Sequence, residues 1–229
     1  MEEYSYERLK RKLLKIAGRS NRVMNGFLQK NTDPVLFFKQ DYGYKKIEHI
    51  KKQILENIFE GRDTLAVMPA GKERFLSHEL LAQNTEGLTL IISPFVSLLK
   101  QRIQDAKASI QKTAFLTNFL SEDEYIKNIL LVKKGDAITV YATPEKILKE
   151  RIQEFIFYGK RKVSCIAVDE AHCISSLGYN FKREYLLLPL LRKKFSEAAW
   201  LALTAAAEGS IRSEIIKRFR MENPSILTA

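Results

Sequence analysis

The stretch Val163-Ser164-Cys165-Ile166-Ala167-Val168-Asp169-Glu170-Ala171-His172 decides the fold. Five of its first six residues are apolar or small, which predicts a strand buried on both faces, as in the centre of a parallel sheet. Two adjacent carboxylates, Asp169 and Glu170, follow at the carboxyl end of that strand. Open α/β sheets bind ligands at this end of their strands. An exposed Asp-Glu turn is the alternative interpretation, but the four letters D-E-A-H after a buried strand favour a ligand site.

Strand and helix patterns alternate on both sides of this stretch. Strands are predicted at residues 64–67, 88–92, 113–116, 137–141, 163–168, 199–203 and 225–227. Helices are predicted at residues 46–59, 75–83, 95–108, 122–131, 144–157, 182–194 and 210–220. Ser121 and Glu124 have the spacing of a capping box, and Ser93-Pro94 and Thr143-Pro144 each place a hydroxyl before a proline at a helix start. The alternation predicts an α/β fold, with a mainly parallel sheet covered by helices on both faces.

The composition is that of a basic globular protein. Of its 229 residues, 45% are hydrophobic and 28% are charged, and the net charge is +11. A basic protein of this kind commonly binds a polyanion, with nucleic acid as the first candidate, although each lysine cluster alone is typical of a solvated helix face. There are two cysteines, no apolar run near ~18 residues and no hydrophobic signal region at the start. We therefore expect a cytoplasmic or nucleoid-associated protein that makes no membrane contact.

The first residues differ from the rest of the chain. Leu9, Leu13, Leu14, Ile16 and Ala17 recur at helical spacing between Arg and Lys residues, which predicts a basic amphipathic helix. Such a helix could lie on nucleic-acid phosphates, on a partner or on the following domain, and the last of these is the simplest. We predict a basic helical extension over residues 1–40 and one α/β domain over residues 41–229.

The loop after the first predicted strand is where this architecture usually holds phosphate. A P-loop needs small residues that let backbone N–H groups face the phosphates, a Lys for the phosphates and a hydroxyl for Mg²⁺. Here Gly71 is the loop's one glycine, Lys72 is followed by the acidic Glu73, and Arg74 is followed by Phe75. By itself, therefore, this loop does not predict a complete P-loop.

Several short motifs follow one another along the chain. In order they are Tyr42-Gly43-Tyr44, Gly61-Arg62-Asp63, Val67-Met68-Pro69, Ser93-Pro94-Phe95-Val96-Ser97-Leu98-Leu99-Lys100, Thr143-Pro144-Glu145-Lys146, Asp169-Glu170-Ala171-His172-Cys173-Ile174-Ser175, the loop residues Gly178, Phe181, Glu184 and Tyr185, and Ala202-Leu203-Thr204-Ala205. From residue 42 onward, this series resembles the first RecA-like motor domain of the RecQ family of superfamily 2 DNA helicases.

The resemblance implies a RecA-like three-layer α/β/α domain that uses ATP and Mg²⁺ and binds nucleic acid, with DNA expected. Asp169 would hold Mg²⁺ through water, Glu170 would act as the catalytic base, and His172 would contact the γ-phosphate, although a packed loop residue is the alternative role for His172. Thr204 would couple hydrolysis to movement. The residues implied for the nucleotide are Tyr44, Gly71, Lys72 and Arg74. The residues implied for nucleic acid are Ser93, Pro94, Ser97, Lys100, Thr143, Pro144, Lys146 and Phe181.

The chain also departs from that family at its nucleotide site. Aligned without gaps, Arg74 stands at the position of the phosphate Lys and Phe75 at the position of the hydroxyl, while Glu48 and Lys51 replace the Arg and Gln that would read adenine. In the aromatic-rich loop, Ser176 and Leu177 replace the usual Gln and Trp. If the alignment is shifted so that Lys72 takes the place of the P-loop lysine, Glu73 stands at the position of the Mg²⁺-binding hydroxyl.

Three hypotheses remain open on the sequence. The chain is the first motor lobe of a RecQ-like helicase, with its second lobe on another chain or missing. Alternatively, it is a pseudo-helicase lobe that binds DNA without ATP turnover and acts with a partner protein. A protein-interaction scaffold is the third, and the charge and the intact stretch at residues 93–100 count against it. The degenerate loop predicts that this lobe does not hydrolyse ATP on its own.

Overall fold

The computed structural model describes residues 49–69, 81–82, 85, 87–96, 112–176, 182–206 and 208–228. The chain divides into two compact units, Met1–Lys52 and Gln53–Ala229. The predicted extension over residues 1–40 lies outside the described residues, and its boundary stays a prediction. The predicted helix at residues 75–83 and the one at residues 95–108 also lie mostly outside them.

Seven parallel strands form one sheet in the second unit. They are β1 (Thr64–Val67), β2 (Leu88–Ile92), β3 (Thr113–Leu116), β4 (Thr139–Ala142), β5 (Val163–Val168), β6 (Ala199–Thr204) and β7 (Ser225–Thr228). Their order in the sheet is β3-β4-β2-β5-β6-β1-β7, and every pairing between neighbours is parallel. The predicted α/β fold with a parallel sheet is confirmed, and β5, which leads into Asp169 and Glu170, is the central strand.

The core forms on both faces of this sheet. All residues of β1, β2 and β6 are buried, and in β5 only Ser164 keeps partial exposure. Cys165 and Trp200 are buried, with Trp200 packed beside Phe219 at a ring-centroid distance of 5.9 Å. Apolar runs of four to six residues stay buried because helices cover both faces.

Helices follow the strands along the described part of the chain, at or near the predicted positions apart from the exceptions given below. The described helices are α1 (His49–Phe59), α2 (Glu122–Lys134), α3 (Pro144–Ile147), α4 (Glu150–Phe157), α5 (Leu191–Lys194) and α6 (Gly209–Arg218). The predicted capping box forms at α2, where the Glu124 amide donates to Ser121 Oγ at 3.3 Å and the Ser121 amide donates to Glu124 Oε2 at 3.0 Å. Gly135 ends α2 with a left-handed φ of 77°.

Three local predictions were wrong. The helix predicted at residues 144–157 is interrupted, because Lys149 takes an extended backbone between α3 and α4. The Thr143 side chain makes no capping hydrogen bond at the start of α3. In the helix predicted at residues 182–194, residues Arg183–Leu190 form a 3₁₀ helix that contains Pro189. A proline inside an α-helix lacks the N–H donor and clashes with the carbonyl four residues earlier, so an α-helical turn is disfavoured there.

Buried polar groups connect several elements at the edge of the sheet where the strands begin. Asp63, just before β1, accepts hydrogen bonds from Arg192 at 2.5 Å and from the Trp200 amide at 3.1 Å. Arg192 also lies over the Trp200 ring, 4.5 Å from its centroid, and donates to the Phe219 carbonyl at 2.8 Å. The network joins β1, β6 and the helices around them. Among the described residues, no helix is both long and apolar enough to cross a membrane.

Candidate functional site

The carboxyl edge of the sheet gathers most of the described candidate residues. Strand order places the residues that end successive strands in a row: Thr117 after β3, Thr143 after β4, Ser93 after β2, Asp169 after β5, Thr204 at the end of β6 and Met68 after β1. Parallel strands present their carboxyl ends at one edge, which is the ligand-binding edge of open α/β sheets. The edge has an Asp169 side and a Thr143 side, with Ser93 between them.

Asp169 is fixed by contacts from three directions. Its backbone amide donates to the Ile92 carbonyl at 2.8 Å, and its carbonyl accepts from the buried hydroxyl of Tyr185 at 2.9 Å. Its carboxylate accepts from Ser93 Oγ at 3.1 Å and from the Glu170 amide at 3.0 Å. Burial raises the pKa of Tyr185 well above its ordinary value, so this phenol stays a hydrogen-bond donor. A carboxylate has about four lone-pair sites, so it can accept more than these two hydrogen bonds.

Glu170 adopts a backbone conformation that is uncommon for a side chain of its size. Its φ is 49° and its ψ is 45°, in the left-handed region, and it precedes the short 3₁₀ helix Ala171–Ile174. Non-glycine residues in that region carry strain of about 1–3 kcal/mol, and such strain clusters at active sites and switch regions. The sharp turn directs the chain from β5 into the 3₁₀ helix, which carries His172.

His172 joins the acidic pair to the end of β6. Its Nδ1 lies 3.2 Å from Thr204 Oγ1 and 3.4 Å from Glu170 Oε2. Thr204 Oγ1 also accepts from the Ala206 amide at 3.0 Å, and the Thr204 carbonyl accepts from the Met68 amide at 2.8 Å. A protonated Nδ1 can donate to Glu170, and an unprotonated Nδ1 can accept from the Thr204 hydroxyl. The residues predicted for catalysis and coupling therefore form one connected cluster.

The other side of the edge carries the described nucleic-acid candidates. Thr143 is buried, its amide donates to the Leu116 carbonyl at 3.3 Å, and its hydroxyl has no hydrogen-bond partner among the described residues. Lys146 Nζ lies 3.4 Å from Asn118 Oδ1 and 5.0 Å from the centroid of the Tyr125 ring. Partial burial, and then the charge of Lys149, lower the pKa of Lys146. Pro144 is the buried first residue of α3, and Pro94 follows Ser93 at the end of β2.

The remaining candidate residues lie outside the described part of the chain. They are Tyr44, Gly71, Lys72 and Arg74 for the nucleotide, and Ser97, Lys100 and Phe181 for nucleic acid. Their assignments stay predictions. Within the described residues, no group of three or more His, Cys, Asp or Glu side chains is arranged to hold a metal ion. Asp169 remains the candidate that could hold Mg²⁺ through water.

One polar cluster near the acidic pair was not predicted from the sequence. Glu214, on α6, accepts hydrogen bonds from Ser175, which follows the Ala171–Ile174 helix, and from Arg218 one turn along α6. Ser176 Oγ donates to the same carboxylate at 3.3 Å. The spacing of Glu214 and Arg218 is typical of an ion pair on a helix, but nothing in the sequence pairs that helix with Ser175.

Family comparison finds a match over most of the chain. The model of the DEAD/DEAH box helicases matches residues 48–213. Among curated proteins, the chain is 32% identical over 187 residues to the ATP-dependent DNA helicase RecQ of Haemophilus influenzae, covering 81% of this chain and 30% of that protein. It is 30% identical over 185 residues to the probable ATP-dependent DNA helicase RecS of Bacillus subtilis, covering 80% of this chain and 36% of that protein. The chain thus spans about a third of the length of these relatives.

Solved structures share the fold. A hypothetical ATP-dependent RNA helicase from Sulfolobus tokodaii matches with a TM-score of 0.62 and 16% identity, covering 86% of this chain and 56% of that one. A DEAD box protein from Methanococcus jannaschii matches with a TM-score of 0.62 and 18% identity, covering 86% of this chain and 54% of that one. At these identities the likeness supports the RecA-like fold.

Proposed function

Because the chain belongs to the DEAD/DEAH box helicase family and corresponds to the first RecA-like domain of its RecQ relatives, we propose that it is a DNA-binding motor lobe that does not hydrolyse ATP on its own. In this proposal the lobe acts with a second helicase lobe or a partner protein. The edge of the sheet that carries Ser93, Thr143 and Lys146 binds the nucleic-acid backbone. The nucleotide pocket beside Asp169 is degenerate.

One contact carries the proposal. Ser93 Oγ donates to Asp169 Oδ2 at 3.1 Å, and the two residues are 76 positions apart. It joins a residue of the motif assigned to nucleic acid with the carboxylate assigned to Mg²⁺. A motor lobe needs such proximity, since occupancy of one site must change the geometry of the other.

Charge supports the DNA-binding part of the proposal. The net charge is +11, and Lys146 and Lys149 lie close enough that the charge of Lys149 contributes to the lowered pKa of Lys146. A nearby phosphate would stabilise both charged lysines, and lysine contacts to phosphate release counterions. The affinity for DNA should therefore fall steeply as salt is added.

The loop sequence supports the loss of turnover. In the register without gaps, residues 72–75 supply Arg74 in place of the phosphate Lys and Phe75 in place of the Mg²⁺-binding hydroxyl, and Glu73 adds a repelling charge. Losing one preorganised electrostatic contact costs roughly 10²–10³ in rate. The guanidinium of Arg74 keeps its charge but does not reproduce the point contact of an ammonium. Several such losses together should leave hydrolysis close to background.

The test measures binding and turnover together. We expect single-stranded DNA binding that weakens with salt, does not respond to ATP and Mg²⁺, and is accompanied by no DNA-stimulated hydrolysis. Lys146→Ala should weaken binding and reduce the slope of log affinity against log salt by about one. Lys162→Ala is the matched control, because it removes one positive charge at the opposite edge, just before β5. Undetectable binding at moderate salt contradicts the proposal.

The competing function is an active ATPase lobe. The acidic cluster around Asp169 supports it, since Glu170 and His172, which the family resemblance assigns to catalysis, lie 3.4 Å apart beside that carboxylate. It requires DNA-stimulated ATP hydrolysis that disappears in Glu170→Gln. If the wild-type lobe hydrolyses ATP and Glu170→Gln abolishes that hydrolysis, our proposal is wrong and the lobe is an active motor.

A further inference from the structure

The helix α2 carries two apolar side chains on the face that points away from the sheet. Its inner face contains the buried Val132 and also Asn128, whose Oδ1 accepts from the Phe115 amide of β3 at 2.6 Å. Ile126 and Leu130 lie on the opposite side of the helix, one turn apart, and are 49% and 45% exposed. Two adjacent apolar side chains on the outer face of a regular helix are a candidate contact for another helix.

The two ends of α2 carry charges of opposite sign. Glu122 and Asp123 lie in its first turn, and Lys133 and Lys134 lie in its last turn. Lys133 Nζ lies 4.7 Å from the centroid of the Phe155 ring, and none of the four charged residues forms an ion pair with another described residue. This distribution complements the helix dipole. The dipole gives no reason, however, for the exposed apolar pair between the two ends.

The charges next to each end of α2 do not change these signs. At the start of the helix, Lys146 lies over the Tyr125 ring and stands against the three exposed carboxylates of residues 122–124. At the end of the helix, Asp136 is exposed, but the side chain of Lys160 lies beside the closing turn and adds to the charge of the two lysines there. The first end is therefore acidic and the last end basic.

A second copy of α2, running antiparallel, is complementary to the first in a single register. Placing Ile126 opposite Leu130 of the other copy fixes all other pairs, because residue numbers rise along one helix as they fall along the other. The acidic end of each copy then faces the basic end of the other, in the pairs Glu122–Lys134 and Asp123–Lys133. A parallel arrangement would instead place like charges together at both ends.

We propose that two copies of this chain associate through the outer faces of their α2 helices, antiparallel and related by a two-fold axis. Such an interface is self-complementary, so each contact occurs twice. The apolar pair provides most of the affinity, and the charged ends set the direction, since exposed ion pairs contribute little to stability. Lys127 lies beside the apolar pair, where its aliphatic stem can pack while its ammonium stays in water.

The expected dimer is weak and does not block the DNA-facing edge. One helix per copy covers less than the about 800 Å² per partner of a typical stable complex, so we expect a dissociation constant on the order of 10–100 μM. Because α2 begins near the carboxyl end of β3 and returns to the opposite edge, antiparallel pairing directs the carboxyl edges of the two sheets apart. The inference goes beyond the proposed function and does not depend on it.

The experiment measures association by sedimentation equilibrium without DNA, at concentrations that bracket the expected dissociation constant. Wild type should show a monomer–dimer equilibrium. Leu130→Glu should weaken association at least tenfold, because it places charge in the apolar centre of the interface. Glu122→Lys and Lys134→Glu, tested separately, should each weaken it about 5- to 30-fold, since either substitution brings like charges together at both ends of the pair.

Mixing the two charge variants separates a pairing role from damage to the helix. In a heterodimer of the Glu122→Lys chain with the Lys134→Glu chain, opposite charges face each other again at both ends. The mixture should therefore associate about as well as wild type, and so should the chain that carries both substitutions. If the substitutions acted by opposing the helix dipole, mixing would restore nothing and combining them would make the loss larger.

Glu208→Lys is the matched control, because it reverses an exposed carboxylate at the start of α6, far along the chain from α2. It should leave association unchanged. Circular dichroism should show every variant folded. A wild type that stays monomeric overturns the inference and would leave this face to a helix of another protein. A dimer that Leu130→Glu leaves unchanged, or that mixing does not restore, also overturns it.

The outcome is distinguishable from that of the proposed function. Leu130→Glu should bind single-stranded DNA as wild type does, because it leaves the edge that carries Lys146 unchanged. A protein that dimerises through α2 but binds no DNA would contradict the proposed function alone. A protein that binds DNA and remains monomeric would contradict the dimer alone.

Discussion

At the scale of single residues, Asp63 connects three elements of the fold through hydrogen bonds to its side chain and backbone. Its side chain is 9% exposed and accepts from Arg192, while the same carboxylate accepts from the amide of Trp200. Its carbonyl accepts a hydrogen bond at 2.9 Å from the amide of Ser225, the first residue of β7. In the sequence, Gly61-Arg62-Asp63 is one of the short motifs that resemble the helicase family. Its bonds to Arg192 and Trp200 could not be predicted, because they depend on strand order.

Replacing Asp63 should therefore be costly. In Asp63→Ala, the half-buried Arg192 guanidinium loses its partner and the Trp200 amide is left unsatisfied. We expect a loss of about 3 kcal/mol in the free energy of unfolding, measured by urea denaturation. Glu60→Ala is the control, because the Arg62–Glu60 pair is largely exposed and should contribute about 0–1 kcal/mol. Equal losses in the two variants would contradict a structural role for Asp63.

At the scale of elements, prediction succeeded for strands and was less accurate where local sequence signals compete. β1, β2, β3 and β5 begin and end at the predicted residues, since short buried apolar runs between turn signals allow few alternatives. The 3₁₀ helix with Pro189 was predicted as an α-helix because its apolar spacing fits both helix types. The cluster of Glu214 and Ser175 was missed because nothing local indicates that α6 packs beside the Ala171–Ile174 helix.

That cluster predicts a pH-dependent attachment between the two elements. Burial raises the pKa of Glu214, but hydrogen bonds from Ser175 and Arg218 and the charge of Arg218 outweigh burial, so the pKa is lowered. A carboxyl whose pKa is lower in the folded state contributes stability above its unfolded pKa and loses it as pH falls through the folded pKa. Glu214→Gln should thus be less stable than wild type at neutral pH.

The difference between Glu214→Gln and wild type should shrink as pH falls below the unfolded pKa of glutamate, about 4.3. Thermal unfolding measured over a series of pH values follows this change. Glu222→Gln, at an exposed position after α6, is the control and should show little difference at any pH. A destabilisation by Glu214→Gln that stays constant down to acidic pH would indicate lost packing instead of a lost charge contact.

At the scale of the whole molecule, the two cysteines report on the integrity of the core. Cys165 and Cys173 are both buried, and burial raises the pKa of Cys173 to about 11 and that of Cys165 further. The thiolate is the reactive form, so neither side chain should react in the native state. We expect labelling by a thiol reagent at pH 8 to be orders of magnitude slower than for free cysteine, and fast in urea. Cys173→Ser leaves Cys165, in the central strand β5, as the one cysteine that can be labelled. Rapid labelling of this variant in the native state would mean that β5 is not buried.

Strand order also has a consequence for how the chain is made. β1 pairs only with β6 and β7, although more than 130 residues separate Val67 from Ala199 in the order of synthesis. During translation, β1 therefore has no strand to pair with until β6 and β7 have left the ribosome. Pairing over such separations is slow, and waiting strands are prone to aggregate. A chain released before β6 has been synthesised would therefore lack both strands that pair with β1.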